Sequence, residues 1–437
     1  MDIYALLEKE HNKCAEIIMA DDRLRKSFQD NQGLDHLATK EDILDYINNN
    51  YYETIYNIHY FKKSITNELI NLFNNISNNP NNLQHNSQKY FIESIIDEIS
   101  EKYKSFYIRK NKLNNLLKLK LPEQRSPEWY ELRKNILTAS SFASAIGKCH
   151  FTSRDELIYS KIVPQPYESS PITEWGVKYE EIATLFYQSI TGTVVREFGM
   201  IPHPTFPIFG ASPDGICDDS GPMEYCSRML EIKCPPKRKF TKSVPEHYWM
   251  QMQGQLEVCD LYECDFLQVK LEEYDTFINY KSDLFDISEP YKSINKSYDN
   301  IIIGKTKENL PKGVTISYIK PGDPPEKLSY LYPKLYQTDE QYLEWIDEYI
   351  KKGYNIVETK WWKITRYELS LVNRDKLWWN NNIQHIIKFY DDYIEYKNNP
   401  DKLEELKQRI NNKKKYKKNE IFIPSEPPKL PTCAFID

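Results

Sequence analysis

The order in which two periodicities alternate between residues 174 and 271 constrains the fold of this chain more than any other feature. Residues 174–190 repeat their apolar positions at three and four, the pattern of a long amphipathic helix, and Gly192 closes it. Three strand-like runs follow, 194–201, 209–212 and Met229–Lys233. The second ends in the turn sequence Pro213-Asp214-Gly215, and Pro235-Pro236 stop the third. Residues 248–258 return to helical spacing, and 265–271 read as a further strand. Helix, three strands, helix, strand is a mixed α/β order, which predicts a central sheet flanked by helices.

The flanks read differently. From 2 to 120 the apolar residues recur at helical spacing, as in Ile43, Ile47, Tyr51 and Ile55, so 1–120 is expected to be an N-terminal helical region. An Asn-rich stretch at 74–87 with Pro80 predicts a loop inside it. Leu121-Pro122 mark the boundary to a core at 121–275, where 128–134 read as helix, Thr138-Ala139-Ser140-Ser141 offer N-caps, and 142–146 continue as helix. Proline-rich turns over 276–357 suggest an insertion. The core is expected to resume over 358–397, with an alternating strand at 363–371 and a helix at 376–396. Residues 398–437 read as a basic, proline-rich tail whose lysines at 413–418 lie solvated and mobile.

Composition excludes several classes. At 437 residues the length argues for roughly two to three domains, and 40% hydrophobic with 14% aromatic residues is globular composition. The eight cysteines form no CxxC pair and no zinc-ribbon spacing, so reduced thiols are expected. The first residues, Met1-Asp2-Ile3-Tyr4, lack a basic region followed by an apolar run, and no 18-residue apolar stretch occurs. A soluble, intracellular, cytoplasmic protein with no membrane contact is the expectation. A formal charge of -6 means that nucleic acid must be met by a local basic face, which weighs against a binding-only role.

Four short features occur in order: Gly176-x-x-x-Glu180, Ser212-Pro213-Asp214-Gly215, Glu231-Ile232-Lys233 and Tyr248-x-x-Gln251-x-Gln253. Singly each is ordinary, a turn, an alternating strand or a helix face. Within a strand, residues two apart share a face, so Glu231 and Lys233 point together while Ile232 faces a core. If the strand before Asp214 pairs with the one carrying Glu231, two carboxylates converge at one sheet edge. Such a pair suits magnesium, which takes oxygen ligands, and a neighbouring ammonium then serves phosphodiester hydrolysis. The plain alternative is a surface ion pair between Lys233 and Glu231, worth about 0 to 1 kcal/mol.

Taken together, Gly176 to Glu180, Ser212-Pro213-Asp214-Gly215, Glu231-Ile232-Lys233-Cys234-Pro235 and Gln251-Met252-Gln253 resemble the PD-(D/E)xK nuclease superfamily, which has a restriction-endonuclease-like core. Within it they resemble the branch of phage lambda exonuclease and the YqaJ-like viral recombinases. Ser126-Pro127-Glu128-Trp129 to Arg133 and Thr138-Ala139-Ser140 extend the likeness upstream. The resemblance implies that Glu180, Asp214 and Glu231 bind Mg2+, with Mn2+ able to substitute and the Ile232 carbonyl as a further ligand. Lys233 would be the catalytic lysine and Gln251 the family's helix glutamine. Arg133, Ser140 and Ser212 would hold the 5'-phosphate of a double-stranded DNA end, which is degraded 5' to 3' in viral or phage-type recombination or replication. The host-cell cytoplasm or a viral replication site would then be its place.

Plain readings stand beside several of these. Arg133 follows Glu128 and Glu131 on a polar helix face, Gln253 and Gln255 compete with Gln251, and Glu181 competes with Glu180. Lys237-Arg238-Lys239 and Lys242 offer a basic rim or merely a solvated loop, and the Trp361-Trp362 and Trp378-Trp379 pairs are assigned to core. For partners the resemblance implies a single-strand annealing protein and a homo-oligomeric ring-shaped trimer, whose interface the added segments would block or replace. Two rival functions remain, a related DNA endonuclease and a non-catalytic DNA-binding protein.

Overall fold

The computed structural model describes residues 105–163, 170–240, 243–286 and 301–420. The expected helical region before residue 105, its loop at 74–87, Lys242 and the end of the chain from 421 lie outside the described residues. Two compact units divide at Leu113/Asn114. Of the first, only 105–113 are described, and they are helical.

The larger unit opens with α1 (Pro127–Asn135), which Ser126 caps by accepting from the Trp129 N–H. β1 (Leu137–Thr138), a 3-10 turn (Ala139–Ser141) and α2 (Phe142–Ala145) follow, then α3 (Arg154–Ile162), started by a reciprocal capping box between Ser153 and Glu156. The long α4 (Pro171–Thr191) ends at Gly192, whose φ of 69° is the left-handed conformation that glycine adopts without strain.

Five strands, not three, then lead to the next helix: β2 (Val195–Arg196), β3 (Ile201–Pro202), β4 (Phe209–Ala211), β5 (Gly215–Cys217) and β6 (Met229–Lys233). The single strand expected over 194–201 is broken because its two ends join different sheets, β2 the large one and β3 the small one, and between them Gly199 runs tightly against Pro122. A Cβ there would stand 1.9 Å from the Pro122 carbonyl oxygen. The strand before Asp214, β4, does not pair with β6: it lies between β1 and β3 in a separate three-stranded sheet, and β5, after the turn, pairs with β6.

α5 (Glu246–Val258) joins β6 to β7 (Glu263–Glu273), and the two strands are parallel, as a helical crossover permits. β8 (Phe285–Asp286) and β9 (Ile301–Ile302) form a two-stranded sheet of their own, and the large sheet runs β11-β10-β12-β7-β6-β5-β2, where β10 is Lys312–Ile319, β11 Ser329–Leu331 and β12 Asn355–Asn373. The segment expected as an insertion therefore supplies strands to the sheet: β10 is hydrogen-bonded along β12. The presumed tail also differs. Residues 376–398 and 400–420 form two helices, and Leu406 and Ile410 of the second are buried. Its Arg409 and Lys413 pair with Asp155 of α3.

The sheet has two covered faces. On one, Tyr179, Ile182, Ala183, Phe186 and Tyr187 of α4 pack on Leu230 and Ile232 of β6, Leu267 and Val269 of β7, and Trp362 and Ile364 of β12. Each such side chain contributes about 1.5 to 3 kcal/mol by leaving water. On the other lies α5, held close to α2 at Gly254, where a Cβ would fall 2.4 Å from the Phe142 ring. Trp362 and Trp379 are buried, as a core assignment requires. The mixed α/β class, a central sheet flanked by helices, is the one expected. Cys149, Cys217, Cys234, Cys259 and Cys264 are free thiols, and no helix among the described residues is long and apolar enough to cross a membrane.

Candidate active site

β6 carries the sequence's Glu-Ile-Lys, and alternation sends Ile232 into the α4 core while Glu231 faces α5. Glu231 is 0% exposed, which rules out a solvated surface pair. A buried carboxylate needs partners, and α5 supplies them. Gln251 Nε2 donates to Glu231 Oε1 at 2.7 Å, Gln255 Nε2 donates to Oε2 at 2.8 Å, and the Lys233 ammonium also donates to Oε1. Lys233 Nζ donates further to the Ile232 carbonyl at 3.0 Å and lies 5.2 Å from the Tyr248 ring centroid.

Asp214 stands at the head of β5. Because β5 is antiparallel to β6 with Gly215 opposite Leu230, the next position brings Asp214 level with Glu231. Its Oδ2 accepts from the Ile232 N–H at 2.6 Å. Burial, and then the Glu231 charge, push the Asp214 carboxyl well above the ordinary range, against the pull of Lys233. Burial alone would lower the Lys233 ammonium, but Glu231 and Asp214 more than offset it and hold it up. Lys233 thus stands as the cation between the two carboxylates. Glu180 on α4 completes the group: burial raises its carboxyl, Arg125 and Lys233 draw it down, and Glu231 adds to the rise. Glu181, the competing residue, is pushed up to about 7 by burial and by Glu197 and Glu180.

Among the described residues, no three His, Cys, Asp or Glu side chains already converge as a ready metal cage. The reason is visible in the hydrogen bonds: Glu231 is turned to Lys233 and the glutamines, and Glu180 to Arg125 Nη2 at 3.2 and 3.3 Å. The donors nevertheless fit a hard cation. They are carboxylate oxygens and the Ile232 carbonyl, two of the carboxyls are driven up by burial and mutual repulsion, and magnesium is commonly held by only one or two carboxylates with water. The Cys234 thiol points away, to the Tyr179 carbonyl.

The residues expected to hold phosphate gather nearby. β1 and β4 are parallel with Thr138 opposite Gly210, so Ser140 and Ser212, each two residues on, leave at the same end. Trp129 joins Arg133 to Ser212: its Nε1 donates to Ser212 Oγ at 3.0 Å, and the Arg133 guanidinium lies 4.3 Å from its ring centroid. Ser140 Oγ is bonded to Thr138 Oγ1 at 3.0 Å. Burial lowers the Arg133 guanidinium. Lys161 Nζ donates to the Arg133 and Ile136 carbonyls, and burial followed by the Arg133 charge brings its ammonium down to about 8. In the basic rim, Arg238 is engaged by Gln268 Oε1 at 2.6 Å and Tyr248, while Lys237 and Lys239 are exposed.

Sequence reasoning weighed Gln255 only as a competitor of Gln251 and missed that both serve Glu231, although their four-residue spacing puts them on one helix face. Gln253, two residues off that face, serves the fold: its side chain bonds the Asn373 carbonyl and the Asp375 N–H. Arg125 and Gln124 were also missed. Gln124 Nε2 donates to the Phe198 and Pro213 carbonyls, bracing the turn that presents Asp214.

Comparison with known proteins falls on this same stretch. Residues 128–262 match the YqaJ-like viral recombinase domain. The resemblance read from the motifs is borne out there, and the matched stretch spans the positions of Arg133, Ser140, Glu180, Ser212, Asp214, Glu231, Lys233 and Gln251. An uncharacterized protein of Acanthamoeba polyphaga mimivirus is 30% identical over 359 residues, 75% of this chain, and the chain spans 63% of that relative's length. Among solved structures, an alkaline exonuclease of Laribacter hongkongensis is 18% identical with a TM-score of 0.35, covering 66% of this chain and 99% of that one. A phage-related exonuclease of Haemophilus somnus is 14% identical with a TM-score of 0.25, covering 49% and 90%.

Proposed function

We propose that this chain is a divalent-metal-dependent DNA nuclease, working 5' to 3' as an exonuclease on linear double-stranded DNA, with Mg2+ as its ion and Mn2+ able to substitute. The observation that carries the reading is the meeting of buried Glu231, raised Asp214 and charged Lys233 at one corner of the sheet. The match of residues 128–262 to the recombinase domain supports it. Asp214 and Glu231 would hold the ion, with Glu180 and the Ile232 carbonyl as further ligands. When bound, a divalent ion supplies charge neutralisation on the scissile phosphate and an acidified water.

The chain's own residues do the rest. Gln251 and Gln255 fix the Glu231 carboxylate. Lys233, held protonated, orients the attacking water and stabilises the charge that develops on phosphate oxygen. Arg133, its guanidinium 4.3 Å from the Trp129 ring centroid, would present a fork to a terminal phosphate, with the Ser212 and Ser140 hydroxyls as further contacts. A terminal phosphate held at Ser212, two residues before Asp214, would favour cutting from an end.

The test compares linear duplex bearing 5'-phosphate, linear duplex bearing 5'-hydroxyl, and covalently closed circles, with Mg2+ and then with chelator. Digestion of phosphorylated ends, slower digestion of hydroxyl ends, intact circles and silence in chelator are expected, with Arg133→Ala erasing the preference for phosphate. Nicked circles would overturn the exonuclease reading, and digestion in chelator the metal requirement. No hydrolysis with any divalent ion would overturn the nuclease itself.

A further inference from the structure

Arg125 occupies an odd position for a residue with no assigned task. Its φ of 65° is left-handed backbone, which a non-glycine side chain rarely adopts, and such strain persists only where neighbours impose it. The neighbours here are specific. Gln124 is tied to the Phe198 and Pro213 carbonyls, and Ser126 both caps α1 and donates its N–H to the Glu123 carbonyl at 3.1 Å. The result is a strap that crosses from the Asp214 turn to α4 and delivers one guanidinium nitrogen to both oxygens of Glu180.

Two properties separate this pair from Lys233 and Glu231. One cation spans both Glu180 oxygens, whereas Lys233 reaches only Oε1 of Glu231, so any cation that Glu180 binds must displace Arg125 from the same atoms. And water reaches this half-buried pair, with side-chain exposures of 47% and 34%, whereas Glu231 is sealed. An open ion pair is weak and exchanges readily. A guanidinium released beside a nuclease centre has an obvious next ligand in a phosphate, whose geometry it matches.

We infer that Arg125 is a place-holding cation, which neutralises Glu180 while the site holds no metal and transfers to a DNA phosphate when Glu180 takes up a divalent ion. This rests on the nuclease reading. It makes Arg125 a positioning residue that couples metal uptake to DNA engagement through exchange of one acid's partner.

The experiment measures Mn2+ binding to the full-length, DNA-free protein by electron paramagnetic resonance, and the affinity of a short duplex in the presence of Ca2+, for wild type, Arg125→Ala, Arg125→Lys, Glu180→Gln and Asp214→Asn. Arg125→Ala is expected to bind Mn2+ about fivefold more tightly and DNA more weakly, with Arg125→Lys between it and wild type on both. A purely structural strap would leave Mn2+ affinity unchanged or weakened, and that result overturns the inference. So does tighter Mn2+ binding with unchanged DNA affinity. Saturable Mn2+ binding that Asp214→Asn removes but Arg125→Ala does not tighten sinks the place-holder alone. If wild type binds no Mn2+ that Asp214→Asn or Glu180→Gln weakens, the metal-site reading fails as well. Thermal melting of each variant confirms that a folded protein is being compared.

Discussion

Asp265 on β7 and Glu231 on β6 are both buried acids on neighbouring parallel strands, but they face opposite sides of the sheet. Asp265 lies opposite Leu230 and so faces α4, where Tyr187 donates its hydroxyl to Oδ2 at 2.7 Å and the Arg228 guanidinium stands 3.6 Å away. Glu231 faces α5, with two glutamines, one lysine and two further carboxylates around it. Burial raises Asp265 on one face and Asp214 on the other. On the α4 face, the Tyr187 hydrogen bond and the Arg228 charge pull Asp265 back. On the α5 face, Glu231 pushes Asp214 higher still, and a single lysine answers both. The first arrangement is closed and structural. The second holds its charges in conflict, and such perturbed groups mark a candidate functional site.

The comparison breaks most sharply on activity. Asp214→Asn, Glu231→Gln and Lys233→Met are each expected to lower Mg2+-dependent digestion by about 10³-fold or more, while the protein still folds. Asp214→Asn should melt no lower than wild type, because it removes a charge that burial penalises. Full digestion by any folded one of the three would remove that residue from the chemistry.

On the opposite face the loss should be one of stability. Arg228→Met strands Asp265 and Glu263, which share its guanidinium at 3.6 and 2.9 Å. Breaking a buried pair in this way costs about 3 to 5 kcal/mol, to be read from urea unfolding, with activity per folded molecule unchanged. If Arg228→Met instead abolished activity at full stability, the division of labour between the two faces would be wrong.

Much of this was legible in the sequence, and the failures have physical reasons. The α4 and α5 helices, β6 and the start of β7 follow plain periodicity. β10 did not show because Lys312, Thr315 and Ser317 are buried among its apolar residues, so no polar face marks the alternation. The first part of β12, around Glu358 and Lys360, has exposed side chains and is held by backbone pairing to β10, which leaves no hydrophobic pattern. β5 is only three residues long and follows a turn, yet it sets the distance between Asp214 and Glu231. Glu231 was legible as a candidate metal ligand, but its burial was not, because it depends on amides that arrive from a helix some twenty residues later.

Those amides give a smaller test within one helix. Gln255→Leu removes a donor from buried Glu231, and Gln253→Leu removes the link to Asn373 and Asp375. Each should cost about 1 to 3 kcal/mol of stability. Only Gln255→Leu should also lower activity, by about tenfold or more, through a misplaced carboxylate. Equal activity in the two variants would show that Glu231 needs no support from α5 beyond Gln251.

Tyr187→Phe should give the smallest effect. It removes the hydroxyl that donates to Asp265 Oδ2 and leaves the Arg228 contact in place, so about 1 kcal/mol of stability is lost at neutral pH. The pH dependence has a definite sign. Asp265 already has a raised carboxyl in the folded state, from burial above all, and losing a donor to its charged form raises it further. A group whose folded pKa lies above its unfolded value keeps its stabilising proton at low pH and loses it as pH rises through the folded value. The deficit of Tyr187→Phe relative to wild type should therefore shrink as pH falls through that window, in urea melts taken at successive pH values. A deficit that stays constant across acid pH would mean that Tyr187 supports the α4 face by packing alone, and that Asp265 is held by Arg228 without it.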